Sequence, residues 1–280
     1  MIDSFNLVKG NLNQSNLQKT LLRWAGSKKK LIPHLSKYFS PTYDRYLEPF
    51  VGSGQLFFNL PIENAILSDI NGKLIEMYNT VRIVPDEVHT CLSTFKKGKE
   101  EYYELRAADI STSDPVYKAA VFIYLNTYCF NGLYRTNLAG KFNVPYSESS
   151  GNLIDRDALR FIAAYLNKAT IVNGDFEKVV TDNCKGNDFV YLDPPYAIKN
   201  KRIFYQYSPD TFGLNDLQRL KSLIEEIDRR NAKFVLSYAD CEEASFLSQG
   251  WNFEKVSTVR NISGFSKHRK MESEVIITNI

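Results

Sequence analysis

The stretch Phe189-Val190-Tyr191-Leu192-Asp193-Pro194-Pro195-Tyr196 decides how this chain is read. Four uncharged apolar or aromatic residues in a row predict a short strand buried on both faces, as in a parallel sheet. The strand stops at an acid followed by two prolines. Proline has no N–H and forces the preceding residue into extended geometry, so Asp193 is held at the strand's end and no helix starts there. In an open α/β sheet, ligands bind at the carboxyl ends of the strands. A rigid turn would use the same residues, yet Asp-Pro-Pro-Tyr arises by chance in only about one chain of this length in a thousand.

Working outward, Tyr46-Leu47-Glu48-Pro49-Phe50 reads as a strand running into Val51-Gly52-Ser53-Gly54, with Leu56-Phe57-Phe58 expected to open a helix. Ala65-Ile66-Leu67-Ser68-Asp69 is a second strand ending in an acid. Strand, glycine turn, helix, strand and acid is the layout of a nucleotide-binding half. Gly52 and Gly54 let the backbone approach a ligand. The third glycine of the dinucleotide fingerprint is missing, with Phe57 in its place, which disfavours a dehydrogenase. Asp69 stands where an acid would accept hydrogen bonds from ribose hydroxyls. Each glycine alone reads first as a turn residue; glycines and acid in this order weigh equally for turn and ligand contact.

Downstream, a helix to about Lys168 leads to the strand Thr170-Ile171-Val172 and to Asn173-Gly174-Asp175-Phe176. Asn215 is expected to cap a helix, with Gln218 completing a capping box and Leu217, Leu220, Ile224 and Ile227 on one face. Phe234 to Ser237 is the next strand, and strands near Val256–Val259 and Glu274–Thr278 give the sheet an antiparallel edge. Leu21 to Lys28 contains a small flexible turn before a basic helix beginning near Lys29, and residues 1–19 read as a polar arm.

Between about 72 and 159 the alternation of strand and helix lapses. Asp114 and Pro115 form an N-cap and first helical position for a mostly buried helix over Val116–Thr127. Aromatics, amides and basic residues then alternate through Tyr128–Asn137 and Lys141–Tyr146 in a loop or hairpin. That mixture suits stacking on bases and bonding to their edges, and it also suits an ordinary exposed hairpin. The expected organisation is an α/β domain from 1–72 and 160–280, interrupted by an insertion over 73–159, to which the resemblance given below assigns DNA binding.

The 280 residues, 44% hydrophobic and 24% charged, are those of an ordinary globular protein. A net charge of +3 permits nucleic-acid binding without demanding it. Basic residues cluster at Lys28–Lys30, at Lys199, Lys201 and Arg202, and at Lys267, Arg269 and Lys270. The four cysteines are far apart, and three histidines support neither a metal site nor a Ser/His triad. No signal peptide or run of 18 apolar residues is present, so a soluble, intracellular protein is expected.

Taken together, these motifs resemble the Dam-type (D12 class, group alpha) DNA adenine-N6 methyltransferases, from about Leu21 to Asn279. Arg23-Trp24-Ala25-Gly26-Ser27-Lys28 resembles the family's entry motif, with Ser27 in place of its second glycine. Glu48 to Gly54 resembles its S-adenosylmethionine loop, Asn131 to Tyr146 its DNA-reading hairpin, and Asp193 to Tyr196 its catalytic motif. After Tyr146 the chain has Ser147-Glu148-Ser149-Ser150 where relatives often carry glycine and basic residues, a departure that bears on phosphate contacts and target sequence.

The resemblance implies an α/β, Rossmann-like S-adenosylmethionine-dependent methyltransferase fold, a mixed sheet with helices on both faces, plus an inserted, mostly helical DNA-recognition domain with a hairpin. It implies S-adenosylmethionine as cofactor and double-stranded DNA as partner, with no metal. Asp193 and the Pro194 carbonyl would accept hydrogen bonds from the adenine amino group, and Tyr196 would stack on the base. Trp24, Lys28, Gly52, Gly54, Asp69, Asp175, Phe176 and Asp193 would surround the cofactor. Arg23, Phe130, Asn131, Leu133, Arg135, Asn137 and Pro145 would meet DNA, with Phe130 as a wedge and Phe204 and Tyr207 lining the pocket of a flipped-out base.

GATC is the target by resemblance alone. Cytosine N4 is also an exocyclic amine, although enzymes acting on it commonly have Ser in place of Asp193. A catalytically silent DNA-binding protein with S-adenosylmethionine as effector has no need of an intact Asp-Pro-Pro-Tyr. Pairing with a restriction endonuclease, housekeeping methylation and a phage origin all stay open. A monomer in the cytoplasm, associated with the nucleoid, is the expected state.

Overall fold

The computed structural model describes residues 20–24, 26–137, 139–148, 151–196, 212–259 and 271–280. Phe204 and Tyr207 lie outside them, as do the arm 1–19 and the basic residues Lys199, Lys201, Arg202, Lys267, Arg269 and Lys270. In chain order the elements are α1 (Ile32–Leu35), β1 (Tyr46–Glu48), β2 (Ala65–Asp69), α2 (Gly72–Ile83), α3 (Pro85–Leu92), α4 (Lys99–Ala107), α5 (Pro115–Tyr128) and α6 (Arg156–Leu166). They continue with β3 (Ala169–Asn173), α7 (Phe176–Asn183), β4 (Phe189–Leu192), α8 (Leu214–Arg229), β5 (Lys233–Ala239), α9 (Glu242–Leu247), β6 (Asn252–Val259) and β7 (Met271–Thr278).

The seven strands form one sheet in the order β3-β2-β1-β4-β5-β7-β6. The first five are parallel, and β7 runs antiparallel to both its neighbours. The chain builds outward from β1 through β2 to β3, then returns to lay β4 on the other side of β1. The order reverses between β1 and β4, which makes this gap the switch point where open α/β sheets bind ligands.

Side chains alternate across a strand, so each strand feeds two cores. Tyr46, Ala65, Leu67, Phe189, Tyr191, Val235 and Ile276 enter one core, with residues of α2 to α6. Leu47, Ile66, Val190, Leu192, Phe234, Leu236 and Ile277 enter the other, with residues of α7 to α9. Helices therefore cover both faces, as the mixed α/β reading expects. The buried side chains of α2 to α5 share the first core with the sheet itself.

Several local expectations are corrected. Leu56-Phe57-Phe58 opens no helix: a single 3-10 turn covers Phe57–Asn59, because Pro61 holds Leu60 in extended geometry. The basic segment is a 3-10 turn over Lys29–Leu31, the short α1 and a second turn over Ser36–Tyr38, with Pro33 limiting the bonds available. Helix α8 is capped at Gly213, not Asn215; the Asp216 carboxylate accepts the Gly213 N–H at 2.9 Å, and Asn215 sits in the first turn. The Asp114 cap and Pro115 start of α5 are as expected.

The start of β4 is fastened to that of β1 by a buried ion pair. Asp188, fully buried, accepts Arg45 Nε at 3.0 Å and Nη2 at 2.6 Å, and the Lys185 N–H at 2.7 Å. Removing one partner of such a pair strands the other in a dry setting. Asp188→Ala is expected to lower unfolding free energy by about 3 kcal/mol; a urea midpoint equal to that of the parent protein would show the pair to be dispensable.

Candidate active site

The parity of the strands builds the site. Glu48 shares a face with Tyr46, Asp69 with Leu67, Asp193 with Tyr191, Ser237 with Val235 and Glu274 with Ile276, so all five point toward one side of the sheet. The three acids Glu48, Asp69 and Asp193 close the carboxyl ends of β1, β2 and β4. Glu274 reaches the same place from the antiparallel β7, where it lies opposite Ala239.

Asp193 Oδ1 accepts the Ser237 hydroxyl at 3.0 Å, and Ser237 Oγ lies 3.0 Å from the Tyr191 hydroxyl. Lys28 Nζ stands 3.5 Å from the same carboxylate oxygen. The ammonium, only 4% exposed, donates to Glu274 Oε2 at 2.6 Å and to the Tyr196 hydroxyl at 2.7 Å, and lies 5.0 Å from the Tyr196 ring centroid. Tyr196 also packs edge-on against Tyr238. Pro194 is buried beside this cluster.

Burial raises the Asp193 carboxyl to about 6; the Lys28 ammonium opposes the rise and Glu274 adds to it. Burial works against the Lys28 charge, yet Asp193, Tyr196 and Glu274 hold its pKa above the ordinary lysine value. Glu48 is pushed well up by burial, against the hydrogen bond it accepts from the Tyr46 hydroxyl at 2.9 Å.

The glycine turn is held from both sides. The Gly52 N–H donates to Asp69 Oδ2 at 3.1 Å, and the Gly52 carbonyl accepts the Tyr78 hydroxyl at 2.8 Å. Gly52 has φ +44°, and a Cβ there would meet the Trp24 indole at 2.9 Å. Gly54 has φ +62°, and a Cβ there would meet the Phe58 ring at 2.9 Å. Burial raises the Asp69 carboxyl, opposed by the backbone N–H groups of Asn71 and Gly52.

Asp175 is the N-cap of α7, accepting the N–H groups of Glu177 and Lys178. Arg219 from α8 binds Asp175, Glu177 at 2.7 Å and Asp216 at 2.8 Å, and its guanidinium lies 4.7 Å from the Phe176 ring centroid. Phe176 stacks on Phe50 at 5.0 Å and neighbours Phe212. Acids at three adjacent strand ends, a glycine turn and an aromatic cluster suit a ligand that carries hydroxyls, positive charge and a flat ring.

Trp24 stacks on Tyr134 at 5.3 Å, and Tyr134 on Phe122 at 5.4 Å, so the glycine turn, the hairpin and α5 meet at one aromatic column. Asn126 of α5 clamps Arg23: its amide oxygen accepts the Arg23 N–H at 2.9 Å and its NH2 donates to the Arg23 carbonyl at 2.7 Å. The Arg23 side chain is exposed. In the hairpin, Cys129 bridges Tyr146 and Thr136 bridges Phe142. Phe130 is 48% exposed, Asn131 adopts φ +55°, and the Phe130 N–H donates to the Pro145 carbonyl at 2.9 Å. Leu133 is half-buried, Arg135 Nε donates to Asn143 at 2.7 Å, and the Asn137 side chain closes the hairpin turn by accepting the N–H groups of Ala139 and Lys141.

Sequence reasoning passed over Glu274, Ser237, Asn126 and Arg219. Glu274 left one signal: an acid at the head of the apolar run Val275-Ile276-Ile277, on the same strand parity as Ile276.

The chain matches the D12 class N6 adenine-specific DNA methyltransferase family over residues 24–262. A type II methyltransferase, M1.LlaDCHI, of Lactococcus lactis subsp. cremoris is 33% identical over 95% of this chain and 97% of its own. M.MjaIII of Methanocaldococcus jannaschii is 33% identical over 90% and 95%. A DNA adenine methylase of Haemophilus influenzae is 30% identical over 96% of each. The fold and the acid-closed switch point define an α/β protein that binds a ligand at its strand ends, and the chain belongs to the D12 class of N6 adenine-specific DNA methyltransferases. It is therefore an enzyme that methylates adenine in DNA, with S-adenosylmethionine as methyl donor.

The folded protein holds the Asp193 proton more tightly than the unfolded chain, whose ordinary value is 3.8. Ionisation thus costs stability, from nothing below pH 4 to its full amount above about pH 6. Asp193→Asn is expected to stabilise the fold by about 2–3 kcal/mol at pH 7, with the gap closing below pH 4. Thermal unfolding across that range tests this, and equal melting temperatures at pH 7 would contradict it.

Proposed function

We propose that the protein methylates the N6 amino group of an adenine flipped out of duplex DNA, with GATC as its target. The observation that carries this reading is the Asp193 carboxylate, fixed at the switch point by Ser237 and Lys28 and followed by two prolines. The adenine amino nitrogen is a poor nucleophile because its lone pair is delocalised into the ring. Asp193 and the Pro194 carbonyl accept its two N–H bonds, draw the nitrogen toward tetrahedral geometry and aim the lone pair outward. Tyr196 stacks on the base. Ionised Asp193 is the competent form, since a protonated carboxyl is a weaker acceptor.

S-adenosylmethionine supplies an electrophilic sulfonium methyl when bound. Trp24, Lys28, Gly52, Gly54, Asp69, Asp175 and Phe176 surround it in this reading, with Asp69 receiving ribose hydroxyls and Phe176 facing the adenine ring. The acidic strand ends favour its positive charge. Residues 73–159 form the DNA-reading insertion, and 1–72 and 160–280 the catalytic domain.

Arg23, Asn131, Leu133, Arg135, Asn137 and Pro145 meet bases and backbone. Arginine paired to guanine is the commonest specific contact in the major groove. Phe130 enters the space left by the extruded base, which its exposure at the hairpin supports. Phe204 and Tyr207, outside the described residues, are assigned to the base pocket by the family resemblance alone.

DNA adenine methylases of Haemophilus influenzae and Vibrio cholerae among the relatives support adenine in DNA as the substrate, the GATC target rests on the resemblance to Dam-type enzymes, and a type II methyltransferase among the relatives supports pairing with a restriction endonuclease. The enzyme acts as a monomer on the DNA of the cell interior. No helix among the described residues is long and apolar enough to cross a membrane.

Labelled methyl donor with two duplexes that differ only in GATC against a scrambled site is expected to yield N6-methyladenine in the first alone; label in both would overturn the GATC assignment. Asp193→Ala is expected to abolish transfer while cofactor binding persists. With 2-aminopurine in place of the target adenine, the parent protein is expected to raise its fluorescence on binding and Phe130→Ala to lose most of that rise; an undiminished rise would remove Phe130 from the flipping step.

A further inference from the structure

We propose that Lys28 and Glu274 form a positioning pair: Glu274, on the antiparallel strand β7, holds the Lys28 ammonium against Asp193 and Tyr196 and so fixes both groups in the orientation in which they meet the target base. The inference rests on the reading of Asp193 as acceptor of the adenine amino group. It gives Lys28 a task directed at the acceptor, and it gives β7 a part in the reaction.

Three observations carry it. The first is reach: one nitrogen lies 2.6 Å from Glu274, 2.7 Å from the Tyr196 hydroxyl and 3.5 Å from Asp193. Lys28 thus bridges the ends of β4 and β7, which β5 separates in the sheet. The second is rigidity. The Lys28 carbonyl accepts the Leu31 N–H at 2.7 Å and so starts the 3-10 turn, while the Ser27 N–H bonds back to Trp24. The ammonium is held at the backbone end by a turn and at the charged end by a carboxylate.

The third is cost. Lys28 and Glu274 are 4% and 3% exposed, and a pair taken out of water this completely gains little over apolar residues of the same size. Stability alone is a weak reason for it. A carboxylate acceptor beside a base does need an adjacent fixed cation, because burial otherwise favours its neutral form.

The other charged or titratable groups facing Asp193 are Tyr191 on its own strand, Tyr46 and Glu48 on β1, and Tyr196 just after it. None of these is a cation. Lys28 is therefore the positive group among the described residues that balances the site, and Glu274 its anchor. The two act on Asp193 with opposite sign: loss of the Lys28 charge favours the protonated acid, and loss of the Glu274 charge favours the carboxylate.

The test is the pH dependence of kcat for GATC duplex at saturating S-adenosylmethionine and DNA, in full-length protein. Lys28→Met is expected to move the acid limb up by about 1–2 pH units. At pH 7 that is roughly a two- to tenfold loss of kcat, recovering by pH 9. Lys28→Arg should restore most of the activity at pH 7. Glu274→Gln is expected to move the acid limb down and to lower the plateau, because Lys28 is no longer held in place.

Because Lys28→Met leaves a buried carboxylate unpaired, the double variant Lys28→Met/Glu274→Gln guards against simple misfolding. It should unfold at a higher temperature than Lys28→Met and place its acid limb between those of the single variants. An acid limb unmoved in both single variants overturns the proposal. A large rise in the KM for S-adenosylmethionine in Lys28→Met, with the limb unmoved, assigns Lys28 to the cofactor instead. Full activity of Asp193→Asn would be a different failure, that of the acceptor reading itself.

Discussion

A buried ammonium between two carboxylates is the interaction on which the site depends. Lys28 comes from the loop before the sheet, Asp193 from the middle of the sheet and Glu274 from the antiparallel strand β7. Each charge alone would be strongly disfavoured in so dry a place. Together they bond to one another, and the contacts of Lys28 with Glu274 and Asp193 tie three distant parts of the chain at one point. Ser237 and Tyr196 satisfy further hydrogen-bonding capacity of the cluster, so few low-energy arrangements are open to Asp193.

The two-residue period of the strands is the reason these groups meet. A register slip of one residue in β7 would send Glu274 to the core shared by α7 to α9, and the same slip in β5 would bury Ser237 on the wrong side. The apolar residues between them prevent this: Val275, Ile276 and Ile277 are each matched to one of two cores. Hydrophobic burial, which knows nothing of chemistry, thereby sets the geometry of the polar site. The return of the chain from β3 to β4 adds the remaining condition, the reversal of strand order that makes the switch point.

The side that faces DNA is joined to this site through packing. Trp24 lies on Gly52, Tyr134 on Trp24 and Phe122 on Tyr134. Gly132, at φ +63°, lets the hairpin touch the Arg23 backbone; a Cβ there would lie 2.4 Å from that of Arg23. The Asn126 amide, buried in α5, fixes the same residue by both its backbone groups. The hairpin is thus braced by the segment that carries Trp24 and Lys28.

Much of this was legible in the sequence because it rests on local rules. The uncharged run Phe189–Leu192 before Asp-Pro-Pro, the acid closing Ala65–Asp69, and the proline-started α5 each follow from neighbouring residues alone. Competing local signals account for two corrections: Pro61 cut off the helix expected after Gly54, and Gly213 with Asp216 displaced the cap expected at Asn215. The site divides between local and distant causes. The sequence determined the sheet class, the strand-end acids and the positions needing glycine, since each depends on backbone geometry within a few residues. Only the tertiary structure decided that Lys28 would sit between Glu274 and Asp193, 246 and 165 positions along the chain, because electrostatic partnership depends on distance in space, and strand order and side-chain parity set that distance.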